Sequence, residues 1–285
     1  MSWVPVWLVC LTAIGRQKLS ELDLENQIVA AEAYEQLHVP ALFQQWTKQV
    51  LDAVTVRPGD RVLDVACGTG VLARDAAKRV GEKGLVAGLD PGPGMLVVAE
   101  RHAPTVEWRQ GAAESLPYAD QSFDAVVSQF GLMFFADRRQ ALCEMLRVLV
   151  PGGRLAVAVW DSIENSPAYP DEVALLQRIA GQRAADALRA PFILGDRTAL
   201  AALFESAGLP SVAITTLKGR ARFPSIKAMV EADLRGWLPV MGVELAEDQI
   251  QHILAEAQSA LGRYVTAKGQ LEFDAPAHVI VGTKP

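Results

Sequence analysis

The chain has 285 residues, 51% of them apolar, enough for one large domain with a sizeable core, and general disorder is excluded. Its net charge of -6, with acids and bases interspersed, lacks the concentrated basic face that nucleic-acid binding needs, so no nucleic-acid partner is expected. Three cysteines without a C-x-x-C spacing (Cys10, Cys67, Cys143) and four scattered histidines support neither a disulfide framework nor a metal site, and fit a reducing, cytoplasmic setting.

The chain opens on an apolar run, residues 2–15, which is too short to span a membrane, is interrupted by Pro5 and has no basic residue ahead of Arg16. It is expected to be part of an N-terminal appendage, 1–26, with no stable membrane insertion. From 27 to 54 the apolar spacing is helical, and His38-Val39-Pro40 is expected to divide it into two helices. After the Arg57-Pro58-Gly59-Asp60 turn, residues 61–66 read as a strand buried on both faces. The turn Cys67-Gly68-Thr69-Gly70 follows, then a helix over 71–80, a strand ending at Asp90 and a helix opened by Pro93. Strands are predicted over 105–109, 123–129 and 154–160, with a helix over 138–149. The second half offers one helix within 161–195, a helix over 198–207, a strand over 211–217, a mostly helical stretch over 224–262 and a last strand over 278–282.

Alternating strands and helices joined by short connections predict right-handed crossovers and a doubly wound α/β fold. We therefore expect a mostly parallel, seven-stranded, Rossmann-like sheet in a domain over 27–285. The stretches 161–195 and 224–262 are not needed to complete the sheet, and are expected to form a helical lid.

Gly68 and Gly70 stand between a strand and a helix, where residues without Cβ let backbone N–H groups approach a ligand closely. Gly-Thr-Gly-Val-Leu-Ala (68–73) also satisfies the looser dinucleotide fingerprint, and Asp90 lies about 20 residues on, as a ribose-binding carboxylate should. This much fits NAD as well as S-adenosylmethionine. Asp64, inside the first strand, is awkward for a pyrophosphate and suits a zwitterion carrying an amino group and a sulfonium.

The stretch Val-Leu-Asp-Val-Ala-Cys-Gly-Thr-Gly (62–70) resembles the first motif of class I S-adenosylmethionine-dependent methyltransferases. Residues 89–96 (LDPGPGML), 111–117 (GAAESLP), 122–126 (SFDAV) and 146–153 (LRVLVPGG) resemble later motifs in the same order. The resemblance is to the branch that includes the ubiquinone and menaquinone biosynthesis methyltransferases, and it covers residues 27–160. It implies S-adenosyl-L-methionine as cofactor and a small-molecule methyl acceptor, partly apolar. It also implies that Ala66, Gly68 and Gly70 face the methionine moiety, with Asp64 bridging towards its amino group. Asp90 would accept from the ribose hydroxyls, Met95 would pack beside adenine or ribose, Ala113 and Glu114 would flank adenine, and Ser128 with Gln129 would present backbone to the methionine end. One departure stands out: the acid usual after the glycine of the third motif is Ala112 here, so Glu114 or a backbone group would have to replace it.

An acid–base residue is needed only if the acceptor is protonated at working pH. The candidates are Tyr34 and His38, then Asp161 and Tyr169 after the fifth strand, and nothing in the sequence chooses among them. Phe223, Met229, Trp237 and Leu238 are expected to line the acceptor side of the lid or to pack its own small core, and transfer is expected to need no metal. Two other readings stay open: an NAD(P)-dependent oxidoreductase, although 128–137 offers neither a Tyr/Lys nor a His/Asp pair, and a non-methylating S-adenosylmethionine-binding protein on the same fold.

Overall fold

The structure, a computed structural model, describes residues 24–285, so the apolar run 2–15 and most of the expected appendage lie outside the described residues. The chain is already helical at 24, and α1 covers 24–38. The expected division at Val39-Pro40 does not occur. Pro40 has no N–H to donate, and here it widens the helix into a π-turn (Val39–Phe43), then a 3-10 turn (Gln44–Trp46) and α2 (Thr47–Ala53) without a gap.

The main sheet has seven strands, in the order β3-β2-β1-β4-β5-β9-β6. β1 (Arg61–Val65), β2 (Leu85–Asp90), β3 (Glu107–Gln110), β4 (Phe123–Gln129) and β5 (Leu149–Trp160) run parallel. β9 (Ala277–Thr283) is antiparallel to both β5 and β6 (Ala213–Leu217). This antiparallel insertion departs from the all-parallel dinucleotide order and disfavours the oxidoreductase reading. β5 begins five residues before the expected start, because Phe123 pairs with Leu149 across a bulge and the Pro-Gly-Gly stretch exchanges backbone hydrogen bonds with Lys284.

The helices α3 (Val71–Val80), α4 (Pro93–His102), α5 (Arg138–Val148) and α8 (Arg197–Ser206) cover the sheet, and strands such as β1 are buried along almost their whole length. The expected single helix in 161–195 is two, α6 (Ala168–Ala180) and α7 (Gln182–Arg189), divided at Gly181, whose φ of 89° no helix accommodates. The stretch 224–262 holds α9 (Ile226–Ala232), a π-turn (Asp233–Trp237), α10 (Leu238–Val240) and α11 (Glu247–Leu261). A second sheet that the sequence reading missed pairs β7 (Arg220–Phe223) with β8 (Leu271–Asp274) beside these helices. Among the described residues no helix is long and apolar enough to cross a membrane.

Candidate active site

At the carboxyl end of β1 the chain turns through Ala66 (φ 58°), Gly68 (φ 55°) and Gly70 (φ 82°) into α3. Left-handed backbone at three nearby positions bends the loop tightly enough to face the end of β2. The two glycines differ in what their bareness allows. A Cβ on Gly70 would collide with the Trp108 indole, and the Gly70 N–H is used inside the turn, donating to the Cys67 carbonyl. A Cβ on Gly68 would meet only the Tyr34 ring, 3.9 Å away. Gly68 is therefore the open side of the turn, with Tyr34 of α1 above it.

Two carboxylates are buried at this turn. Asp90 accepts from the N–H groups of Gly68 and Gly92, both at 2.8 Å, so it ties the first glycine turn to the second one. Asp64 is 1% exposed; its Oδ2 accepts from the Ala73 N–H at 3.1 Å, whereas its Oδ1 is buried with no donor. Burial pushes both carboxyls above the usual carboxylate range, Asp64 well above it, and the Asp90 charge adds to the rise at Asp64. Among the described residues no basic side chain pairs with either. Two buried carboxyls that no basic side chain satisfies offer acceptors to a cationic ligand group, which would bring their pKa values back down, and offer nothing to a pyrophosphate.

Around the cradle, Ser128 at the end of β4 is fully buried with an unpartnered hydroxyl, and Gln129 donates to the Phe43 carbonyl while its Oε1 lacks a donor. Gly131 keeps the Ala66 methyl clear: a Cβ there would stand 2.6 Å from it. Met95 packs against Gly92 beside Asp90, and Ala113 is buried in the core. Glu114 is turned elsewhere: its Oε1 accepts from the N–H groups of Ala136 (2.8 Å) and Asp137 (3.2 Å), ahead of α5.

The acid–base candidates separate clearly. Asp161 is committed to structure, accepting from the Ser162 N–H and the Asn165 amide and lying 3.1 Å from the His278 Nε2. Tyr34 is raised by burial and by the carboxylates of Asp90, Glu35 and Asp64, and it stacks between His38 and Phe43 at 5.5 and 5.4 Å. From Phe43 the aromatic wall continues through Phe130, which lies flat on Trp160 at 3.9 Å, to Phe192 and Tyr169. Phe223, Met229 and Leu238 are fully buried in the core, while Trp237 is half-buried, donates to the Ala187 carbonyl at 2.8 Å and packs on Phe134.

Three acids escaped the sequence reading. Glu35 reaches from α1 to the glycine turn, accepting from the Thr69 hydroxyl (2.5 Å) and pairing with Arg74 (2.7 Å), which clamps α1 over the loop. Glu172 and Asp233 are buried in the helical insertions. The signal for the last two was available. Glu172 shares a helical face with Ala168, Leu175 and Leu176, and Asp233 one with Met229, Val230 and Trp237, so each is an acid on an apolar stripe.

A family model described as the ubiE/COQ5 methyltransferase family matches residues 30–171. The demethylmenaquinone methyltransferase of Staphylococcus carnosus is 34% identical over 203 residues, 65% of this chain and 84% of that protein. The demethylmenaquinone methyltransferase of Renibacterium salmoninarum is 47% identical over 116 residues, 40% of this chain and 47% of that one. The chain spans about half the length of several curated relatives, between 47% and 58%. In fold it is similar to a putative methyltransferase from an antibiotic biosynthesis pathway of Anabaena variabilis, with a TM-score of 0.62 at 17% identity, covering 84% of this chain and 96% of that one.

Proposed function

This chain belongs to the ubiE/COQ5 methyltransferase family, and from that premise we propose that it transfers a methyl group from S-adenosylmethionine to a small, partly apolar aromatic acceptor of the quinol type. The observation that carries the reading is the buried pair Asp64 and Asp90 at the glycine turn, with which no basic side chain among the described residues pairs. Bound there, S-adenosylmethionine supplies an electrophilic methyl group on a positive sulfur.

The residues present fit that group. Asp64 Oδ1 is the unused acceptor for an amino group, Asp90 is the carboxylate for the ribose hydroxyls, and Ala66, Gly68, Gly70, Ser128 and Gln129 are the surroundings of the methionine end. We assign Met95, Ala113 and Glu114 to the adenosine side, with Glu114 acting through the backbone it holds. The aromatic wall from Tyr34 to Tyr169 excludes water from the acceptor side, which favours a reaction that disperses charge. We read α6–α7 and α9–α11 as a cap over that side, closing on the acceptor to align it. The quinol-type acceptor rests on the relatives' names and on this apolar, aromatic lining. A cytoplasmic location belongs to the same reading and is supported by the unpaired Cys67 and Cys143.

Calorimetry with the whole chain tests the proposal. S-adenosylmethionine and S-adenosylhomocysteine are expected to bind and NAD(H) not to. Tight NAD(H) binding with none of S-adenosylmethionine overturns it.

A further inference from the structure

Beyond the glycine turn, one cluster of titratable side chains is buried where three distant segments meet. Glu172 on α6 is fully buried, and Asp233, at the start of the π-turn after α9, is 5% exposed. Their side chains lie within hydrogen-bond reach of each other, a contact that requires a proton on one of them. Otherwise both oxygens of Glu172 and Oδ2 of Asp233 have no donor. The remaining oxygen of Asp233 lies 3.9 Å from Nε2 of His38 on α1. Nδ1 of His38 is buried and has no partner. The imidazole stacks on Tyr34, the ring that stands over Gly68. His38 thus sits between the acid pair and the cofactor turn, beside the aromatic wall.

A pair of buried acids is a poor structural element, since apolar residues of similar volume stabilise a core at least as well. The groups facing the pair are His38 from α1 and the Tyr169 hydroxyl from α6, and His38 is the cation-forming one of the two. We propose that His38 is the acid–base residue of the reaction, accepting on Nδ1 the hydroxyl proton of a hydroxylated aromatic acceptor, with Asp233 orienting the imidazole and Glu172 holding a proton against Asp233. The proposal rests on the methyl-transfer reading for its acceptor.

The chemistry follows from the arrangement. Burial and the negative charge of Asp233 push Glu172 well above the usual carboxylate range, so Glu172 keeps its proton and donates it to Asp233. Burial raises Asp233 as well, while His38 and Glu172 work against that rise, so Asp233 is the acid of the pair that faces His38 and would stabilise an imidazolium formed by protonation at Nδ1. The acceptor O–H bond breaks, its proton goes to Nδ1 and its electron pair stays on the acceptor, which would then bond to the methyl carbon as the methyl–sulfur bond broke with its pair kept by sulfur. If that bond forms at a ring carbon, the displaced ring proton restores the hydroxyl. One proton leaves per methyl delivered in either case. An oxidised quinone has no hydroxyl proton to give, so the reduced form is the one this site takes.

The test uses 4-nitrophenol, whose anion is coloured, and the whole chain. In the wild-type protein the bound probe is expected to ionise about one pH unit below the free probe, the scale of a nearby stabilising charge. His38→Asn, with folding checked by its melting curve, should abolish that shift, and Asp233→Asn should reduce it. Ionisation of the wild-type-bound probe at or above the free value overturns the proposal and needs no variant. So does a shift that survives in His38→Asn, or failure of the probe to bind a protein that binds S-adenosylmethionine. If the shift is present and S-adenosylmethionine does not bind, the methyl-transfer reading fails while the assignment of His38 as proton acceptor stands.

Discussion

At the glycine turn, Asp64, Gly68 and Asp90 come from one β–α–β unit, and adjacent parallel strands bring them together. At the acid cluster, His38, Glu172 and Asp233 come from α1, α6 and the π-turn after α9, and no strand register connects them. The first arrangement is fixed by local backbone geometry and by pairing of β1 with β2. The second exists only when the helical insertions and α1 dock on the sheet. A site of the first kind should survive damage to the cap, and a site of the second kind should not.

The largest effect should come from the residue that holds both regions. Trp46 is fully buried, packs edge-on against Phe130 and Trp160, and lies against Gly219, where a Cβ would clash with its ring. Trp46→Ala should cost about 3–5 kcal/mol of stability. Scanning calorimetry should show the midpoint falling by roughly 10 °C in a single transition. Two separate transitions would break the comparison, because they would mean that cap and sheet already melt independently.

Asp90→Ala comes next and acts on one side only. It removes the acceptor shared by the N–H groups of Gly68 and Gly92 and the carboxylate assigned to the ribose. Affinity for S-adenosylmethionine should fall by about 1.5–3 kcal/mol, roughly 10- to 150-fold, by titration calorimetry. Binding of 4-nitrophenol should be unchanged. A parallel loss of probe binding would show that the two regions are one.

The same contrast explains what was legible in the sequence. The strands along the chain up to β5, the turn and the position of Asp90 could be read because they depend on neighbours in the chain: an apolar run, glycines between strand and helix, and an acid at the next strand end. The β7–β8 pair was missed because its strands lie far apart in sequence and each is only four residues long. The backbone of Gly70 is expected to face the ligand; that its Cβ direction is closed by the Trp108 indole depends on β3 pairing beside β2, which the local sequence does not show. Glu114 was offered to adenine, and whether it binds backbone instead depended on where residues 136 and 137 run. His38 looked like a lone histidine until the fold brought Asp233 beside it.

A smaller effect tests the protonation of the cap. Glu172 is raised in the folded protein, so its contribution to stability is complete below its unfolded value and is lost as pH rises through its folded value. Glutamine, always neutral, avoids that loss. Glu172→Gln should therefore raise the melting temperature at pH 8 by roughly 2–4 °C, the shift that about 1 kcal/mol produces in a chain of this size, and the gain should vanish near pH 4. A gain of equal size at both pH values would mean that the substitution acts by packing and that Glu172 carries no proton linked to folding.

The smallest effect lies on the contact that joins α1 to the glycine turn. Glu35 accepts from the Thr69 hydroxyl and pairs with Arg74 at 2.7 Å, with both side chains of the pair about five-sixths buried at 15–16% exposure. Glu35→Gln keeps an acceptor for Thr69 and leaves Arg74 without its counter-ion. It also places an uncompensated positive charge near a turn that we assign to a cationic ligand. Both changes lower affinity for S-adenosylmethionine, by about 0.5–1 kcal/mol, or two- to fivefold, given partial solvent screening. Because the effect is electrostatic, it should shrink as salt shortens the Debye length from about 10 Å at 0.1 M towards 3 Å at 1 M. The double variant with Arg74→Gln removes both charges, and it should recover part of the loss if the pair is coupled. An unchanged affinity at low salt would separate α1 from the cofactor turn, leaving His38 and Tyr34 to act on the acceptor side alone.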